Sequence, residues 1–218
     1  MQISKLKNKS LQFIKRNFFN LKDNFSFLEG VIISNLKKNR LFNIVQVGAW
    51  DGKTNDPLFN VVNLFQEYIS LLAIEPHKPA FSQLKYNYKN LKNLYFENKL
   101  IGDGKIQKFY TEKGKNIDNG LSSLEKSSLL KRVKEEEISF EEIQSYKLLD
   151  VINNYENFKH VDLLQIDVEG YDDKIILDSN ILETNIRLIN YEHKNLENKR
   201  VEILRETLKK HKYQLIKW

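Results

Sequence analysis

Apolar runs in this 218-residue chain end repeatedly in residues that can do chemistry. The first, Asn43 to Val47, runs into Gly48-Ala49-Trp50-Asp51-Gly52. Glycines in a strand-to-helix turn let backbone N–H groups approach a ligand closely. The run is not a Gly-x-Gly-x-x-Gly dinucleotide fingerprint, because Trp50 and Lys53 fill the second and third glycine positions. It is not a phosphate-cradling loop either, since no Gly-Lys-Ser/Thr completes that spacing. On spacing alone, a tight turn without a ligand is an equal reading. The second run, Leu71 to Ile74, ends in Glu75-Pro76. An acid at that point can accept hydrogen bonds from two ribose hydroxyls, and otherwise is a solvated strand end. Glu75 follows Gly48 by 27 positions, somewhat beyond the roughly 20 of nucleotide-binding folds.

A later apolar run, Val161 to Ile166, delivers Asp167-Val168-Glu169-Gly170. Two carboxylates one residue apart can hold a metal, orient a substrate hydroxyl or act as a base. The run Ile186 to Tyr191 ends in Glu192-His193, and histidine is a natural acceptor for a hydroxyl proton. His77, His160 and His211 read as surface or packing residues, His77 being nearest to the chemistry because it follows Glu75-Pro76.

The elements that must carry these residues alternate between strand and helix from Leu41 onward. Asp56 is a candidate helix N-cap with Pro57 at the first helical position. Leu58, Val61, Val62, Phe65 and Ile69 then follow at helical spacing on one apolar face. A second helix is expected from about Pro79, with Phe81, Leu84 and Tyr88 on one side, and a third strand starts at Leu94-Tyr95-Phe96. Asp103-Gly104 precedes Ile106 to Tyr110 and signals a hairpin. Residues 111–145 are polar and charged and read as a mobile loop followed by a surface helix. A helix to about Leu182, another carrying Val201, Leu204 and Leu208, and a short strand from Tyr213 to Trp218 complete the pattern. Such alternation argues for an α/β fold, a doubly wound, mostly parallel sheet with helices on both faces. Ligands bind such sheets outside the carboxyl ends of the strands, where the strand order reverses.

Residues 1–40 form a helical N-terminal extension in this reading, with Leu6, Phe13, Ile14, Leu21, Phe25 and Leu28 loosely spaced in a basic background. Gly30 and the run Lys37 to Arg40 mark its boundary with a domain over 41–218. The extension packs on that domain in preference to a membrane surface, since its period is irregular. The absence of cysteine excludes disulfides, cysteine-based zinc sites and thiol nucleophiles. Net charge is +6 and the isoelectric point is near 9.2, but lysine is spread along the chain without an arginine-rich run, which disfavours a nucleic-acid partner. No run reaches the roughly 18 apolar residues of a spanning helix, and no signal peptide is evident, so the expected setting is cytoplasmic.

Taken together, these runs resemble the FkbM family of O-methyltransferases. Val45 to Gly52 is similar to the family's V-G-A-N-x-G segment, and Glu75-Pro76 with Phe81, Leu84 and Asn87 to its E-P-x-x-x-x-F-x-x-L-x-x-N segment. Leu121-Ser122-Ser123 matches a small serine motif, and Leu148-Leu149-Asp150 with Asp162 to Gly170 matches L-D then D-L-L-K-I-D-V-E-G. The resemblance spans roughly residues 41–218. It implies a Rossmann-like methyltransferase fold, S-adenosylmethionine (SAM) as methyl donor, and a hydroxyl acceptor on a sugar, glycan or natural product. Carried over, it places Gly48, Ala49, Asp51 and Gly52 along the methionine end of SAM and Glu75 on the ribose. Gln46, Trp50 and Pro76 complete the expected cofactor-binding set. Asp167 and Glu169 would face the methyl group and acceptor, with Asp167 or His193 as base.

Three departures accompany the resemblance. Gln46 stands where many SAM enzymes carry an acid, so the charge is missing. Trp50 replaces the usual Asn or Gly. The chain stops at Trp218, where the family fold normally adds an antiparallel strand: either the chain is a truncated version or the sheet ends one strand short, and Tyr213–Trp218 is expected to be a weakly anchored edge. A divalent ion held by Asp167 and Glu169 is conceivable but not expected. The competing readings are a nucleic-acid methyltransferase or binder, and a catalytically idle SAM-fold subunit that binds a partner.

Overall fold

Strand β1 (Phe42–Val47) is buried along its whole length, as a central strand covered on both faces must be. Its alternate side chains enter two cores. Phe42 and Ile44 point to one, Val45 and Val47 to the other. The computed structural model describes residues 25–114, 121–178 and 180–216. Within them, β1 pairs in parallel with β2 (Ile69–Ile74), which pairs in parallel with β3 (Leu94–Glu97). On its other side β1 pairs in parallel with β8 (Leu163–Ile166), and β8 with β9 (Leu188–Tyr191). The strand order β3-β2-β1-β8-β9 therefore reverses between β1 and β8. This α/β architecture is compatible with the Rossmann-like arrangement expected.

Helices α1 (Phe27–Asn35), α2 (Phe59–Leu64) and α3 (Lys78–Asn87) cover the first core. Ser26 caps α1: its hydroxyl accepts from Glu29 N at 3.3 Å while Glu29 accepts from Ser26 N at 2.7 Å. Leu28, Ile32 and Ile33 of α1 are buried against Phe42, Val61 and Ile69, and Gly30 lies inside this helix. Leu6, Phe13, Ile14 and Leu21 of the expected N-terminal helix lie outside the described residues. Helices α5 (Leu148–Asn153), α6 (Asp172–Asp178) and α7 (Asn198–Lys210) cover the second core through Val151, Ile175, Leu204 and Leu208. The short helix α4 (Lys126–Leu130) lies between α3 and α5 in sequence.

The structure corrects four sequence expectations. Helix α2 starts only at Phe59, with Leu58 and not Asp56 as its N-cap and Pro57 outside it, and ends at Leu64, so Ile69 opens β2 and does not extend the helical face. The Asp103-Gly104 turn does not close a hairpin: it joins β4 (Leu100–Ile101) to β5 (Ile106–Glu112), but β7 (Ile138–Tyr146) lies between them. Ser145 of β7 takes the place of a hairpin partner, accepting from Gly104 N at 3.1 Å and donating to Lys105 O at 2.7 Å. The 111–145 stretch is not only loop and helix: residues 111–112, 122–123 and 138–145 are strand, because polar residues of β5 and β7 find cross-strand partners. Lys108 faces Glu142, Tyr110 faces Phe140 with ring centroids 5.9 Å apart, and Thr111 meets Ser139 at 3.1 Å. With β6 (Ser122–Ser123) these strands form a second sheet, ordered β4-β7-β5-β6. Finally, residues 213–216 form no strand, although the Tyr213 hydroxyl donates to Ile186 O at 2.8 Å. Among the described residues the large sheet ends at β9, and no antiparallel strand joins it.

Candidate functional site

Val47 and Ile166 are register partners at the carboxyl ends of β1 and β8, so the residues that follow them face each other across the reversal point. Gly48 has φ +78°, and a Cβ there would run into the Asp167 carbonyl. Only glycine lets the two strand ends approach this closely. A cleft of about 360 Å³ opens above them, bounded by the second sheet on its far side.

The first turn is more self-contained than its glycines suggest. The N–H groups of Gly48 and Ala49 both donate to Ile74 O, at 3.0 and 3.1 Å, and Gly52 N donates to Ala49 O at 2.8 Å. Trp50 N donates to Glu75 Oε2 at 2.8 Å. These groups are therefore spent inside the protein, and the cleft meets the turn through side chains. Asp51 accepts from Lys53 N, Thr54 N and Thr54 Oγ1, which fixes the loop from behind. Gly52 packs against Leu84 of α3 and Tyr88 just after it. Asp51 and Gly52 thus shape the turn without lining the cleft, whereas Gln46, Gly48, Ala49, Trp50, Glu75 and Pro76 line it.

Glu75 links the two loops. Its other oxygen accepts from His77 N at 2.8 Å, and the side chain is 2% exposed. Burial pushes its carboxyl up to about 7, against the two backbone donors that favour the charged form. A carboxylate offers about four lone-pair directions, so further acceptor capacity faces the cleft. Trp50 sits at φ +48°, a left-handed conformation uncommon for a bulky residue, and its indole stacks on His77 with centroids 5.2 Å apart and planes 5° apart.

On the β8 side, Asp167 opens onto the cleft. Burial of its surroundings, with the nearby Glu192, Glu169 and Asp56, pushes its carboxyl up to about 7. Glu169 takes φ +53° and Gly170 φ +99°, a double left-handed step that turns Glu169 back toward Asp167. Its pKa is raised by burial, against the opposing charge of Arg132, whose guanidinium donates at 3.2 Å. Ser123 of the small serine motif donates to Glu169 O at 2.8 Å and so fastens β6 to this turn. His193 does not line the cleft; its ring packs edge-on against Tyr191. Its neighbour Glu192 joins the acids instead, because Ile166 and Tyr191 are register partners and the next residues, Asp167 and Glu192, are adjacent. Carboxylate oxygens of Asp167, Glu169 and Glu192 lie within 4.8 Å of one another.

Residues 46–215 match the family described as the methyltransferase FkbM domain. The chain belongs to the FkbM methyltransferase family. No curated protein and no solved structure matches it.

The FkbM domain of this chain also uses residues that spacing did not reveal. Asp56, expected only as a helix cap, does accept from Leu58 N and Phe59 N, but it also lines the cleft and accepts from Gln46 Nε2 at 2.6 Å. Arg132 reaches the cleft from beyond α4. Asn195 Nδ2 bridges Glu169 at 2.6 Å and Glu192 at 2.8 Å. Asp172 lies fully buried beside them, accepting from Glu192 N at 3.1 Å. None of these belongs to a motif; each arrives through a turn or a strand register.

Proposed function

We propose that the chain is a SAM-dependent O-methyltransferase that methylates a hydroxyl of a sugar, glycan or other natural product. The observation that carries this reading is the charge of the cleft at the β1–β8 reversal. Four carboxylates line it, Asp56, Glu75, Asp167 and Glu169, against two cations, Lys99 and Arg132. Both cations are already engaged, Lys99 with Glu97 at 3.1 Å and Arg132 with Glu169. Such a cleft suits a positively charged ligand, and its volume lies within the ordinary range for a small-molecule site. It repels phosphate, which argues against a nucleic-acid substrate and for a neutral polyol acceptor.

SAM, when bound, supplies a methyl group made electrophilic by its sulfonium. Glu75 would accept hydrogen bonds from the ribose hydroxyls with its remaining lone pairs. Gly48 keeps the ends of β1 and β8 close, and Glu75 and Asp167 line the same cleft, which would hold the donor. Phe109, Leu100 and Ile101 give the far wall apolar surface and exclude water. Asp167 would take the proton of an acceptor hydroxyl held in the cleft as it is methylated. Asp167 takes the role of base in preference to His193, because it opens onto the cleft and burial holds its proton affinity near neutral pH. Glu169, fixed by Arg132 and Asn195, orients the hydroxyl.

The test is SAM turnover in the presence of sugars and glycans bearing free hydroxyls, read as the demethylated product, S-adenosylhomocysteine. Acceptor-dependent product is expected, with Asp167→Asn slowed by roughly 10²-fold or more. Full turnover in Asp167→Asn removes Asp167 from the chemistry. SAM binding without transfer to any hydroxyl favours the idle-subunit alternative.

A further inference from the structure

Two fully buried carboxylates away from the cleft are matched by arginines. Asp162 holds Arg40 by two hydrogen bonds of 2.7 and 2.8 Å and Arg187 by one of 3.2 Å. Asp173 holds Arg200 at 2.5 and 2.9 Å. Asp56 at the cleft is treated differently. Its donors are all neutral: Leu58 N at 2.6 Å, Phe59 N at 2.9 Å and Gln46 Nε2 at 2.6 Å. Among the described residues no cation pairs with it. Neutral donors satisfy its lone pairs but leave its charge uncompensated.

Gln46 adds a second observation. Since Asp56 can only accept while ionised, the amide must turn its nitrogen toward Asp56 and its oxygen away. That oxygen, Oε1, has no hydrogen-bond partner, although the side chain is 3% exposed. The surrounding row does not supply a donor. Gln46, Gln165 and Asn190 are register neighbours across β1, β8 and β9, and Asn190 Nδ2 is given to Gln165 Oε1 at 2.6 Å. Gln46 and Asp56 therefore present one unused acceptor and one uncompensated negative charge, side by side on the cleft lining. A group that answers both must be cationic and carry N–H donors. A sulfonium has the charge but no donor; an alkylammonium has both.

We propose that Gln46 and Asp56 together form a subsite for the ammonium group at the amino-acid end of the methyl donor, Asp56 supplying the charge and Gln46 an acceptor. This rests on the SAM reading above. In this chain the negative charge comes from the turn ten positions after Gln46, which keeps the β1 position itself neutral.

Titration calorimetry with two ligands tests it. S-adenosylhomocysteine keeps the ammonium but has a neutral thioether, so the sulfonium is out of the comparison. 5′-Methylthioadenosine keeps the adenosine and thioether and lacks the amino-acid end. The variants are Asp56→Asn and Asp56→Ser, both able to accept from Leu58 N and Phe59 N through an oxygen. Both should bind S-adenosylhomocysteine roughly ten- to hundred-fold more weakly while binding 5′-methylthioadenosine within about twofold of wild type. Unchanged S-adenosylhomocysteine affinity, or an equal loss for both ligands, overturns the subsite. Wild-type protein that binds neither ligand overturns the SAM reading itself, and the subsite with it.

Discussion

The carbonyl of Asp167 lies directly against the Cα of Gly48, so the two strand ends that build the cleft are locked together through a position where no side chain fits. Gly48→Ala must both adopt φ +78° and push the β8 end away. We expect a cost of roughly 2–4 kcal/mol, a melting temperature lower by roughly 5–15 °C, and loss of ligand binding. Thermal denaturation checks this. A melting temperature within a degree of wild type would show that the two turns are not locked as described.

Asp167 sets a pH profile. A base with a free-enzyme value of about 7 must be ionised to act, so kcat/KM should rise with pH through a limb near 7. A bound cationic donor favours the carboxylate, so the limb in kcat should lie at lower pH. Initial rates from pH 5 to 9 read both. A kcat/KM profile that is flat across this range would remove Asp167 as the base.

Asp172 sets a pH dependence of stability. Burial first, then the charge of Asp167, raise its carboxyl from 3.8 to about 8, and its Oδ2 has no partner. The folded state therefore binds a proton that the unfolded state releases. Its contribution to stability is complete below about pH 4 and is lost as pH rises to about 8. Asp172→Asn cannot ionise. Its melting temperature should exceed that of wild type at pH 8, with the gap narrowing toward pH 5. An identical slope in both proteins would contradict the assignment.

The convergence of Asp167, Glu169 and Glu192 raises the question of a divalent ion. Donors from Arg132 and Asn195 already occupy Glu169 and Glu192, which is how such a cluster is held without metal. Turnover is expected to survive exhaustive chelation unchanged. A loss restored by one divalent metal would instead make these acids ligands.

Much of the sheet was legible because β1, β2 and β8 are buried along their length and read as mostly apolar runs ended by Gly48, Glu75 and Asp167. The second sheet was not, because β7 is held by cross-strand pairs such as Lys108 with Glu142 and Tyr110 with Phe140, which no single run displays. Which of Glu192 and His193 meets the acids of β8 turns on a related point. One residue of register decides which face a strand end presents, and only the pairing of Ile166 with Tyr191 settles it. Asp56 read as a cap from sequence; the N-cap is Leu58, and Asp56 instead holds the turn before α2 through Leu58 N and Phe59 N, while its contact to Gln46 needs that turn to fold back on β1.

The central claim is that the cleft at the β1–β8 reversal holds SAM. Calorimetric titration of the folded chain with SAM, beside Glu75→Gln, tests it most directly. The account predicts binding near the micromolar range, about −8 kcal/mol, weakened at least tenfold in the variant, in which one ribose acceptor is exchanged for a donor. Absence of binding to the wild-type chain, or equal affinity in Glu75→Gln, would contradict it.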